Sequence, residues 1–446
     1  MSQLATTGRV LTDWNPEDPE RWDKRLAWRT LAVSTFSMII AFCVWYLVSA
    51  VAPKLDQVGF TLTKDQLYWL VAVPGVSGGL IRLGYMFLPP VVGTRRLVGI
   101  TSLLFALPML GWFAAVRNPA TPYWWLMVLA ALTGIGGGCF SGYMPSTGYF
   151  FPKRLAGTAL GLQAGIGNFG VSLIQFLGPW VMGFGLLGLG AVAAQTTSSG
   201  HVIYVYNAAI VLVPWTIAAA ILAFWLLKDV PIKANFRQQI DIFSNRNTWI
   251  LTLVYIMTFG AFSGFAAQLA LIVNNTFGKD SVFATSGAYK VSDLPLGAAY
   301  AFLAPLIGSL VRALAGPLCD RFGGAVFTFI GGVGMVASAA VASAFLTPSS
   351  PRAFWPFLTA MLVLFFFSGL GNAGTFKQMP MILPPRQAGG VIGWTAGIAA
   401  FGPFFVGAAL TAVSAHAFFI GATVYFAFCT VLVWVFYARP NAPHRG

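Results

Sequence analysis

Twelve apolar stretches, each near the ~20 residues a helix needs to cross a hydrocarbon core, divide this 446-residue chain almost from end to end. That feature leaves few folds open, because a segment in lipid must satisfy its own backbone polar groups and a helix does so internally. The expected spans are 29–51, 67–88, 97–116, 123–149, 155–183, 202–227, 249–273, 296–318, 325–346, 354–379, 390–413 and 417–437. Composition agrees: 9% of the residues are charged, against roughly 25% in soluble domains. The N-terminal segment, 1–28, does not read as a cleaved signal peptide, because residues 1–24 are polar and acidic, so the first span acts as the insertion signal. With both ends on one side, seventeen Lys and Arg fall in loops of that side, six in the opposite loops (Lys54, Lys64, Arg117, Lys279, Lys290, Arg352) and three inside spans. The positive-inside rule then puts both termini in the cytoplasm. The formal charge of +14 follows from this topology, which argues against nucleic acid as a partner. Cys43, Cys139, Cys319 and Cys429 are scattered without CxxC spacing and suggest neither a metal nor a redox role.

Two of the three charges inside spans, Arg82 and Arg312, stand where a charge costs about 2.5–3.5 kcal/mol on insertion scales. None of the twelve Asp and Glu residues falls inside an expected span. A small anion brought in from water is the simplest group that could neutralise both guanidiniums. The third charge, Lys377, lies near the cytoplasmic end of the tenth span, where a lysine can snorkel. Alternatively it faces a cavity and carries a proton.

The chain also repeats itself. Pro152–Gly170 and Pro384–Gly402 match at ten of nineteen positions at a constant offset of 232, and the arginines keep nearly the same spacing. Gly157, Gly161 and Gly165 recur every fourth residue, as do Gly389, Gly393 and Gly397, with Gly170 and Gly402 closing the two motifs. Small residues on one face let helices approach closely where lipid supplies no hydrophobic drive. The expected plan is an all-α membrane protein of two six-helix halves, 29–227 and 249–437. They are joined by a cytoplasmic linker, 228–248, and followed by a tail, 438–446. This same-sense repeat resembles the plan of major facilitator transporters. So does Gly316-Pro-Leu-Cys-Asp320-Arg321-Phe-Gly323, which resembles that superfamily's loop signature and marks Asp320 and Arg321 as gate residues.

The glycine motifs, together with Ser77-Gly-Gly-Leu-Ile-Arg82 and Tyr255-Ile-Met-Thr-Phe259-Gly, resemble the bacterial nitrate/nitrite porter family over essentially the whole chain. The resemblance implies an inner-membrane transporter of nitrate and nitrite working by alternating access. Arg82 and Arg312 would clamp the anion, Tyr255 and Asn168 would add hydrogen bonds, and Phe140 and Phe259 would close the pocket. No cofactor is implied; lipid and the two anions are the expected partners, and a monomer the expected assembly. The chemistry suits such anions, since planar guanidinium matches two oxygens bidentately. Proton-coupled porters commonly use a buried Asp, Glu or His, whereas His201, His416 and His444 fall in loops or at the tail. The expectation is therefore nitrate/nitrite exchange, with proton–nitrate symport, through Lys377 or substrate-linked protons, as the alternative. An anion sensor on a transporter fold would need a long soluble domain, and an intramembrane enzyme a catalytic cluster; the chain offers neither.

Overall fold

The computed structural model describes residues 6–7, 9–186, 194–197, 200–230 and 241–444; of residues 6, 7, 156, 157, 320, 385 and 386 only the backbone is described. Among the described residues, twelve helices are long and apolar enough to span a membrane: α1 Lys24–Lys54, α2 Lys64–Tyr85, α3 Thr94–Ala115, α4 Tyr123–Gly148, α5 Lys153–Val181, α6 Asn207–Leu226, α7 Arg246–Thr276, α8 Val291–Cys319, α9 Gly324–Ala344, α10 Pro351–Ile382, α11 Gln387–Ala412 and α12 Ala415–Ala438. Each expected span finds its helix, and the shifts in boundary have local causes. Helix α1 begins five residues early because Asp23 Oδ1 accepts from the backbone N–H groups of Arg25 and Leu26 at 2.8 and 3.2 Å. Such a cap satisfies donors that the first turn leaves open. Helix α6 begins five residues late, because Val202–Ile203 pairs as a strand with Gln195–Thr196. Asn245 caps α7, and Thr63 with Gln66 forms a reciprocal capping box at the start of α2.

Within the first six helices, α1 packs on α4 and α5, α2 on α4, and α3 on α6; within the last six, α10 packs on α8 and α9, and α9 on α12. Across the two sets, α2 meets α11 and α5 meets α8. On the face away from the termini, hydrogen bonds close the seam between the sets. Tyr46 Oη donates to Ser263 O at 3.0 Å, Gln175 Nε2 to Ala266 O at 2.7 Å and Gln268 Nε2 to Tyr68 O at 3.2 Å. Asn275 Nδ2 adds a bond to Tyr68 Oη at 3.1 Å, and Lys279 forms an ion pair with Asp56.

Residues 9–22 of the N-terminal segment are docked rather than loose. Leu11 N–H bonds Asp229 O, and the Trp14 and Trp22 indoles donate to the carbonyls of Tyr149 and Phe150 at 3.1 and 3.0 Å. Glu17 accepts from the first N–H of α5, on Lys153, at 2.7 Å. Leu11, Leu26, Leu31, Phe150 and Phe151 build a small second core beneath it. Of the expected cytoplasmic linker, 228–248, residues 231–240 lie outside the described residues.

Candidate functional site

Helix α7 is interrupted by a π-helical turn at Ile256–Gly260, immediately after Tyr255. A turn of this kind widens the helix and releases a carbonyl from the regular ladder. The carbonyl of Thr258 accepts from Ser368 Oγ of α10 at 2.8 Å, which ties the irregular turn to its neighbour. The rings of Tyr255 and Phe259 stack across this turn, with centroids 5.5 Å apart and planes 15° from parallel. Phe140 of α4 faces Phe259 from the other six helices at 6.3 Å and 25°.

Both arginines reach this aromatic group. The Arg82 guanidinium carbon lies 4.7 Å from the Phe140 centroid and 5.2 Å from that of Phe259. The corresponding distances for Arg312 are 5.9 and 5.7 Å. The indole of Trp45 flanks Arg82 at 5.1 Å, and Phe376 flanks Arg312 at 5.6 Å. Aromatic faces attract a cation through their quadrupole, by ~2 kcal/mol or more once water is excluded. Arg82 is fully buried, Arg312 is 4% exposed, and neither forms an ion pair among the described residues. Hydrogen bonding fixes them unequally. Arg82 Nε donates to Gly137 O at 2.7 Å and Nη1 to Ala396 O at 2.9 Å, leaving Nη2 with no protein partner. Arg312 Nη2 reaches Tyr255 Oη at 3.5 Å, and its Nη1 has no protein partner. Arg82 stands in the last turn of α2 rather than mid-helix as expected; α4 and α11, whose carbonyls hold it, enclose it there.

Asn168 of α5 is completely buried with both amide atoms unpartnered. One turn before it, Gly165 meets α8 beside Arg312: a Cβ built there would lie 2.8 Å from Ala313 Cα and Cβ. The repeat-related Gly397 does the same beside Arg82, with Leu83 Cδ2 2.7 Å from its notional Cβ. Each motif helix therefore touches the arginine helix of the other set, at the residue next to the arginine. Gly170 and Gly402 pack inward, against Ile39 and Phe42 of α1 and against Gly260 and Ser263 of α7, and a Cβ built at Gly393 would lie 3.1 Å from Met86 Cε. Gly161 and Gly389 depart from the expected close packing, since a Cβ at either would meet nothing within 4 Å. The fourfold spacing marks a helix face, and only part of that face is covered. Gly157 lies in α5, and nothing more of it is described.

Asp320 and Arg321 fall in the last turn of a helix running Leu303–Phe322, not in the loop; Gly323, at φ 93°, makes the turn after it. The Asp320 side chain lies outside the described residues, and the Arg321 guanidinium rests 5.1 Å from the Phe322 ring. Lys377 is half-buried and follows Phe376 in α10. The sequence reading missed Trp45 and Phe376, as well as the carbonyls of Gly137 and Ala396. The glycine run Gly136–Gly138 was an available sign that backbone comes close there.

Known proteins resemble this chain in sequence and in fold. The Major Facilitator Superfamily model matches residues 34–402. A Thermus thermophilus protein described as "probable nitrate/nitrite antiporter NarK2" is 53% identical over 98% of both chains. The nitrate/nitrite transporter NarU of Escherichia coli is 32% identical over 96% of both. Among solved structures, a bacterial homologue of the lysosomal transporter Spinster superposes with a TM-score of 0.64 at 15% identity, covering 92% of this chain and 97% of its own. That likeness shows the fold alone. The chain is a multi-pass membrane protein of the nitrate/nitrite porter family within the major facilitator superfamily.

Proposed function

We propose that this chain is a transporter that exchanges nitrate for nitrite across the bacterial inner membrane, with both termini in the cytoplasm and Arg82 and Arg312 as the anion clamp. One observation carries the reading: two buried guanidiniums, each with an unpartnered N–H edge, share the faces of Phe140 and Phe259 and pair with no carboxylate among the described residues. Two unneutralised charges in a desolvated site are costly, and an arriving monovalent anion offsets much of that cost. Planar nitrate or nitrite fits flat between these two stacked rings while its oxygens accept from the arginine edges in the anion's own plane. Tyr255 steadies Arg312, and Asn168 supplies a further amide from α5. The same electrostatics favours exchange, because the empty, doubly positive site resists crossing to the other face while the occupied one does not. The printed names of the relatives, a nitrate/nitrite antiporter and nitrate/nitrite transporters, support the substrate pair. Asp320 and Arg321 serve in this account as a gate at the terminal face.

Counterflow in proteoliposomes tests the mode. Nitrate uptake should require internal nitrite or nitrate and should ignore an imposed pH gradient. Strong uptake into anion-free vesicles under an acid-outside gradient would replace exchange with proton symport, for which Lys377 is the candidate carrier.

A further inference from the structure

Asn372 of α10 is 1% exposed, and neither its Nδ2 nor its Oδ1 has a protein partner. A carboxamide in an apolar core normally has its hydrogen bonds made, and leaving both ends open costs the desolvation of each. Its place on α10 shows where it points. Residues three and four apart share a helix face, and the contacts around Asn372 define that face. Phe365 packs on Phe262 of α7, and Ser368 bonds Thr258 O of α7. Gly369 abuts Gly308 of α8. Phe376 lies between Tyr255 of α7, at 6.3 Å, and Arg312 of α8. Asn372 sits in the middle of this strip, one turn of about 6 Å from Phe376, facing the crevice between α7 and α8. Ser309, one turn before Arg312 on α8, is also fully buried with an unpartnered hydroxyl, and Arg312 Nη1 is open as well. Helices α8 and α10 thus carry three buried side chains with unmatched polar groups along this crevice.

We propose that Asn372 is a specificity-determining residue of the anion site, its amide N–H donating to the nitrate oxygen that the two arginines leave free. Nitrate is trigonal and has three equivalent oxygens, whereas bent nitrite has two and a nitrogen lone pair. Two guanidinium edges can engage both of nitrite's oxygens but leave one of nitrate's three without a donor. A planar carboxamide held between the levels of Phe262 and Phe376 supplies the missing donor. This inference rests on the anion-site reading above.

The test is calorimetric binding of nitrate and of nitrite to the full-length protein purified in detergent, for the wild type, Asn372→Ala, Asn372→Ser and Arg312→Lys. Loss of a hydrogen bond to a charged partner is large enough to weaken nitrate binding by about tenfold to a hundredfold. Nitrite binding should fall by less than about threefold, so the nitrate-to-nitrite preference collapses while the anion-free melting temperature stays in place. Asn372→Ser, which keeps a short donor, should lose part of the preference in the same direction and covers the case in which the alanine variant does not fold. A preference unchanged within about twofold in the folded variants overturns the proposal, whether both affinities hold or both fall together. Arg312→Lys separates the two levels: if it still binds nitrate at wild-type affinity, the anion-site reading fails. If it loses nitrate while Asn372→Ala keeps its preference, only the present inference fails.

Discussion

Adding one carbon at Gly165 should cripple transport, while the same change at Gly161, one turn away, should not. At Gly165 the new Cβ would stand 2.8 Å from Ala313 Cα and Cβ and 3.1 Å from Ala313 N. Carbon contacts are comfortable at about 3.5–4.0 Å, so α8 must retreat by roughly 0.7–1.2 Å. The obstacle is backbone, which cannot rotate away, and the residue displaced adjoins Arg312. Overpacking of this kind costs about 1–3 kcal/mol, and a displacement of about 1 Å at a binding group can cost about a hundredfold in rate. Nothing lies within 4 Å of a Cβ at Gly161, where alanine removes only the helix penalty of glycine, a gain of about 0.8–1 kcal/mol. Nitrate/nitrite counterflow at matched protein density should therefore fall about tenfold to a hundredfold in Gly165→Ala and remain near wild type in Gly161→Ala, whose melting temperature should rise. Gly397→Ala should behave more mildly than Gly165→Ala, because the atom it meets is the tip of Leu83, which can turn. Equal rates for the two α5 variants would refute the argument that close approach beside the arginine is what the motif provides.

Two further outcomes follow from the site. Tyr255→Phe keeps the stack on Phe259 and removes the hydroxyl that accepts from Arg312 at 3.5 Å. The bond is long, so the loss should sit at the low end for a charged hydrogen bond, about tenfold in apparent nitrate affinity; a hundredfold loss would mean that the hydroxyl binds the anion itself. Lys377→Gln should leave uptake into nitrite-loaded vesicles intact, since exchange needs no proton carrier; loss of that uptake would tie the lysine to the transport cycle.

Much of this architecture was legible in the sequence because the membrane leaves so few solutions. Hydropathy located all twelve helices, and the insertion cost of charge singled out Arg82 and Arg312. Their separation of 230 residues, close to the repeat offset of 232, pointed to a shared site. What stayed hidden was set by backbone and by direction. The carbonyls that fasten Arg82 belong to Gly137 and Ala396, and a carbonyl has no sequence signature. Phe376 and Trp45 were indistinguishable from other aromatics in a chain with 39 Phe and 15 Trp. The fourfold glycine spacing gave a face but not its partner, so Gly161 and Gly165 looked alike although only Gly165 is covered. The π-helical turn after Tyr255 and the docking of the N-terminal segment depend on tertiary bonds, from Ser368 in one case and from Trp14 and Trp22 in the other.

The central claim is that two buried arginines form one site for one planar anion, and equilibrium titration of the purified protein tests it most directly. Nitrate should bind at one ion per chain, and both Arg82→Lys and Arg312→Lys should abolish that binding, because an ammonium cannot reproduce the planar fork. Sulfate and phosphate, tetrahedral and more strongly hydrated, should not compete. Wild-type affinity for nitrate in either lysine variant, or two nitrates bound per chain, would contradict the account.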